Sequence, residues 1–146
     1  MWVTPHAIIM KKGDTMKKLL LIPILMFTLV ACSATSEETT TLNVPVVISA
    51  IDGKSMLDAD DSIILIDVRT QSEYDLEHIE GAILLPLADI NTNASKVMKD
   101  KSATYIIYCR SGNRSAQAVL LLYQLGYGNL YDMGGIINWP YDTVKD

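Results

Sequence analysis

Phenylalanine, tryptophan, histidine and cysteine are all scarce in this sequence of 146 residues, which has one Phe, two Trp, two His and two Cys. With so few large aromatics, the core must be built mainly from Leu, Ile, Val and Met, as in a parallel sheet buried on both faces. The two cysteines, Cys32 and Cys109, stand in dissimilar settings, which excludes a disulfide-stapled scaffold and a four-cysteine metal site. A zinc site built on His6 and His78 would need carboxylates as well, so neither a metal nor a cofactor is expected. No Cys-x-x-Cys occurs, which excludes thioredoxin-like disulfide exchange. Basic runs are absent beyond residue 18 and the net charge is −5, so nucleic acid is not expected as a partner. Gly (8) and Pro (5) are too few for a collagen-like or low-complexity chain, and the length has room for one domain.

What is present is unevenly distributed. Residues 1–31 hold Lys11, Lys12, Lys17 and Lys18 with Asp14 as their one acid, leaving eight basic and sixteen acidic groups after them. Met16-Lys17-Lys18 precedes the uncharged run Leu19 to Val30, the basic and apolar regions of a secretory signal, and translation is expected to start at Met16. As a helix the run would reach about 18 Å, short of a hydrocarbon core about 30 Å thick, and Pro23 interrupts it. Leu29-Val30-Ala31-Cys32 resembles the lipobox of bacterial lipoproteins. That resemblance implies cleavage after residue 31, lipidation of Cys32, and a bacterial cell-envelope protein facing outside the cytoplasm. An uncleaved anchor and an ordinary secreted protein are the rival readings. Residues 32–43 then form a polar tether without apolar periodicity, spanning about 18 Å as flexible chain.

From residue 44 onward apolar runs alternate with helix-like segments, the pattern of an α/β sheet flanked by helices. Strands are expected at 46–48, 63–68, 82–85, 105–108 and 130–131. Helices are expected at 50–58 after Ser49, 71–77 after Thr70, 93–99 and 115–125, with Asp132 to Gly135 as a turn.

Cys109 falls where a buried strand meets a helix, in the stretch Cys109-Arg110-Ser111-Gly112-Asn113-Arg114-Ser115. Loop amides, the helix dipole and the two arginines would all favour its thiolate, the nucleophilic form. A structural cysteine has no need of two flanking guanidinium groups.

This loop is one of four ordered motifs in which the chain resembles the rhodanese family of sulfurtransferases. Ile66-Asp67-Val68-Arg69 with Glu73-Tyr74 is similar to the first, His78-Ile79-Glu80-Gly81-Ala82-Ile83 with Pro86 to the second, and Gly134-Gly135 through Trp139 to the last. Glu77 departs from the pattern, since many members have Gly before the His. The resemblance implies a three-layer domain over residues 44–146, with a central, mainly parallel sheet. It also implies a Cys109 persulfide formed from thiosulfate or another small anionic donor and passed to a thiol or cyanide-like acceptor. Arg110, Ser111, Gly112, Asn113, Arg114 and Ser115 would bind the substrate, the arginines holding its anionic group, with Ser111 and Ser115 lesser contributors and Ser115 alternatively a helix cap or first-turn residue. Asp67, Arg69 and His78 are read as supporting residues that bond to backbone and to each other. A monomer is expected.

Two other functions remain open. Cysteine-dependent phosphatases of related fold place five residues between Cys and Arg, whereas four separate Cys109 from Arg114 here, and an arsenate reductase of related fold would benefit from a second, resolving thiol, which a lipidated Cys32 could not supply. A tethered binding module without turnover is the other, and loss of the cysteine is its usual sign.

Overall fold

The computed structural model describes residues 45–145, so the signal-like segment, Cys32 and the tether lie outside the described residues. The apolar runs at Ile64, Tyr105 and Leu130 pair side by side rather than in hairpins, because a helix intervenes between each and the next. Strand β1 (Val46–Val47) leads to helix α1 (Ala50–Ala59), β2 (Ile64–Asp67) to α2 (Gln71–Leu76), and β3 (Ile83–Leu84) to α3 (Ile90–Val97). Then β4 (Thr104–Cys109), α4 (Asn113–Gln124) and β5 (Asn129–Gly135) follow, with a 3₁₀ turn at Ile136–Asn138. The strands form one parallel five-stranded sheet in the order β1-β5-β4-β2-β3.

Alternation along the strands sorts the core into two halves. Ile66, Tyr105, Ile107, Cys109 and Leu130 face Ile90 and Ala94 of α3 and Ala118, Val119 and Leu122 of α4. Leu65, Ile106, Tyr108 and Met133 face the other way, against Met56 and Leu57 of α1 and Tyr74 of α2. The result is the expected three-layer arrangement, and it places Cys109 on the face that α4 covers. The chain leaves β2 toward one sheet edge and β4 toward the other, so the crevice between the carboxyl ends of these neighbours is a topological switch point.

The structure corrects several expected boundaries. Helix α4 begins at Asn113, not at Ser115, because Gly112 takes a left-handed φ of 101° and turns the chain into the helix early. Helix α3 runs over Ile90–Val97 rather than 93–99, since a 3₁₀ turn at Leu87–Asp89 after Pro86 feeds straight into it. The largest change is β5: Asp132 to Gly135, expected as a turn, continue the strand beside β4 through an irregularity at Ile107/Tyr108. Gly53, which should weaken α1, instead lets the helix approach Met133, whose Cγ would lie 3.2 Å from an added Cβ.

Candidate active site

Cys109 is the last residue of β4 and is 1% exposed. Its Sγ accepts a hydrogen bond from the Gly112 amide at 3.1 Å, and its thiol lies 3.8 Å from Ser115 Oγ as donor. Burial alone would push this thiol up. The amides of Ser115, Gly112 and Ser111, with the Ser115 side chain, outweigh burial and bring it below its ordinary value. Ser115 is the third residue of α4, fully buried, and its hydroxyl donates to the Gly112 and Gly134 carbonyls at 3.0 and 3.2 Å. It is therefore a first-turn residue that ties the loop to β5, not a helix cap.

The loop is held from behind by glycine. A Cβ on Gly135 would overlap the Arg110 carbonyl oxygen and lie 2.6 Å from Ser111 Cα, so β5 and the loop can touch only where no side chain intervenes. Ile137 N–H donates to the same Arg110 carbonyl at 3.3 Å.

The two arginines differ. Arg110 is exposed and its side chain makes no hydrogen bond or ion pair among the described residues. Arg114, expected to hold the donor's anion, instead meets Glu73 of α2 in a two-pronged pair, Nη1 to Oε2 and Nη2 to Oε1, both 2.7 Å. Both guanidinium groups are expected from the sequence to favour the thiolate, and the pairing leaves the Arg114 charge shared with Glu73. Arg114 holds the Glu73 carboxyl down at about 2. Sequence reasoning starts α2 at Thr70 and counts Glu73 in the first motif, but assigns it no role. The available signal is Thr70-x-x-Glu73, a capping box in which Glu73 reaches back to the Thr70 amide.

Asp67 and Arg69 do what their position at the end of β2 suggests. Asp67 accepts from Arg69 Nε at 2.9 Å and Nη2 at 2.7 Å and from the Arg69 amide, while Nη2 also donates to the Glu77 carbonyl at 2.6 Å. Both residues are buried, and Arg69 lies over the Tyr108 ring. His78 is buried too, stacked on Tyr74 at 3.8 Å, with Nδ1 3.0 Å from the Tyr74 carbonyl oxygen. Its backbone pairs with Val144. Glu77 adopts an extended φ of −168°, open to any residue, so the departure from Gly leaves the turn intact. Ser111 is exposed on the loop, and Asn113, exposed as the first residue of α4, accepts from Gln117 through Oδ1.

Beside the loop opens a cleft of about 520 Å³ lined by Arg110, Glu73, Leu76, Ile136, Ile137 and Lys145 among others. Among the described residues there is no cluster of three or more His, Cys, Asp or Glu suited to a metal ion.

A cysteine held by convergent amides at the switch point of a parallel α/β sheet is the mark of a group-transfer domain that works through a thiolate. Residues 49–140 match the rhodanese-like domain family, and the chain belongs to it. It is 37% identical to the thiosulfate sulfurtransferase PspE of Escherichia coli over 80 residues, which are 55% of this chain and 77% of that protein. A sulfurtransferase of Allochromatium vinosum is 38% identical over 96 residues, 63% of this chain and 88% of the relative. Among solved structures, a rhodanese from E. coli superposes with a TM-score of 0.54 at 33% identity, covering 57% of this chain and 99% of that one. The domain is thus of the rhodanese sulfurtransferase type.

Proposed function

We propose that this protein transfers sulfane sulfur from thiosulfate or a persulfide to a thiophilic acceptor through Cys109, while anchored to a membrane by a lipid on Cys32. The observation that carries the reading is the Cys109 sulfur, pointed at the Gly112 amide at 3.1 Å in a loop whose amides lower its pKa. Its relatives among sulfurtransferases support the same chemistry.

In the first half-reaction the Cys109 thiolate attacks the outer sulfur of the donor. A new S–S bond forms, the donor's own bond to that sulfur breaks, and the electron pair leaves with sulfite when thiosulfate is the donor. The outer sulfur of the resulting persulfide carries the negative charge, and the loop amides stabilise it as an oxyanion hole would. An acceptor thiolate or cyanide then attacks that outer sulfur, and the electron pair of the broken bond returns to Cys109. No redox cofactor is needed, since the sulfane sulfur passes on at a constant oxidation level.

Mass spectrometry of the protein after thiosulfate treatment should show one added sulfur on the Cys109 peptide, released by cyanide. Aryl phosphates should not be turned over; phosphatase activity exceeding sulfur transfer would overturn the assignment. Location rests on residues outside the described part of the chain. Metabolic labelling with a fatty acid should tag the protein and Cys32→Ala should abolish the tag. An unlabelled, freely soluble protein with Cys32 intact would refute the anchor.

A further inference from the structure

We propose that Glu73 sets the donor preference of this site: by pairing with Arg114 it cancels one of the two guanidinium charges on the Cys109 loop, favouring monoanionic organic sulfur donors over inorganic dianions. The proposal rests on the sulfur-transfer reading of Cys109 and narrows its substrate class.

Glu73 and Arg114 lie 41 residues apart in the chain, and both side chains are partly exposed, at 27% and 29%. Exposed ion pairs of that kind are usually loose. This one is not free to wander, because Glu73 Oε2, which accepts from Arg114 Nη1, also accepts from the Thr70 amide at 3.1 Å and the Thr70 hydroxyl at 2.9 Å. The guanidinium fork therefore faces a carboxylate built into the first turn of α2. Arg114 is also close enough for its charge to interact with Cys109 and Asp67, so what neutralises Arg114 is felt at the sulfur. Arg110 is left as the loop's uncompensated guanidinium, and the charges that the adjoining cleft adds beyond the Asp67–Arg69 and Glu73–Arg114 pairs, Lys145 and Glu77, are of opposite sign.

The neighbouring cleft points the same way. Its walls include Leu76 and Ile137, which are 70% and 64% exposed, with Ile136 deeper in. An inorganic anion gains nothing from such a wall, whereas the organic group of a persulfide or thiosulfonate would cover it. Charge cancellation at Arg114 and apolar surface beside Arg110 are separate features that select the same ligand chemistry.

The test compares alkylation of Cys109 by iodoacetate, an anion, and iodoacetamide, its neutral counterpart, in the full chain, read by peptide mapping. Both reagents lose the same leaving group to the same thiolate, so the ratio of their rates reports the local charge. In Glu73→Gln the ratio should rise about fivefold at low salt and fall back toward the wild-type value near 1 M salt. Arg114→Gln should lower it, and the double variant should return near wild type. Thr70→Ala, which removes the hydroxyl grip and no charge, should lower the melting temperature and shift the ratio in the direction of Glu73→Gln by much less, since the Thr70 amide and the carboxylate charge remain. In turnover, Glu73→Gln should lower the KM for thiosulfate about fivefold and change that for an aryl thiosulfonate little. If Glu73→Gln and Arg114→Gln slow both reagents equally with the ratio unchanged, the pair is only a brace and the proposal is wrong. Should the wild-type protein form no persulfide with any donor, the sulfur-transfer reading fails on its own account, while the alkylation ratios still decide whether Glu73 controls the charge.

Discussion

Replacing Gly135 by Ala should disable Cys109 without touching it. An added Cβ would lie 2.6 Å from Ser111 Cα and overlap the Arg110 carbonyl, both backbone atoms that no rotamer change can move aside. Carbon atoms in contact prefer a separation of about 3.5–4.0 Å, so the loop must retreat by roughly 1 Å. The Gly112 amide now sits 3.1 Å from the sulfur, and a retreat of that size takes it out of hydrogen-bond range. Two effects follow. Overpacking of this kind costs about 1–3 kcal/mol, a fall in melting temperature of roughly 5–15 °C for a domain of this size. The thiolate loses an amide donor while burial continues to push the thiol up, and a misplacement of about 1 Å can cost on the order of a hundredfold in turnover. The assays are thermal unfolding and the pH dependence of iodoacetamide alkylation at Cys109. A Gly135→Ala variant with unchanged melting temperature and an unchanged alkylation midpoint would refute the claim that contact with β5 shapes the loop.

Three further outcomes test the reasoning. Asp67→Asn removes one member of a pair in which the side chains are 0% and 3% exposed, leaving Arg69 buried and uncompensated, and should cost about 3–5 kcal/mol in denaturant unfolding; a cost below about 1 kcal/mol would mean that solvent reaches the pair. Because the folded protein holds the Cys109 thiol below its ordinary 9.0, the thiolate stabilises the fold fully above that pH, and this contribution is lost as pH falls through the lowered value. Under reducing conditions the stability of wild type relative to Cys109→Ser should therefore rise with pH across that window, and a flat difference would contradict the shift. His78→Ala should lower turnover only as far as it lowers stability, and selective loss of the reactive thiolate in that variant would point to a Cys–His pair instead.

The alternation of apolar runs with helical segments, the position of Cys109 at a strand end, and the buried pairing of Asp67 with Arg69 were all legible in the sequence. Each depends on residues within a few positions of one another, where strand and helix periodicity or a strand-end carboxylate imposes the geometry locally. The boundaries of α4 and β5 were less legible, because a left-handed Gly112 and pairing with β4 decide them. Glu73 illustrates the division most clearly. Its local role as partner of Thr70 was written in the spacing of the two residues. Its hold on Arg114 arises only when α2 and the start of α4 are brought to the same end of the sheet, across 41 residues of chain. Gly135 likewise looks like a turn residue until β5 lies against the Arg110 carbonyl. Local chemistry therefore determined the place of Cys109 at a strand end and the layers that carry it. Long-range packing decided the charge around Cys109 and the backbone contact that holds its loop, since register and close approach exist only between elements already folded together.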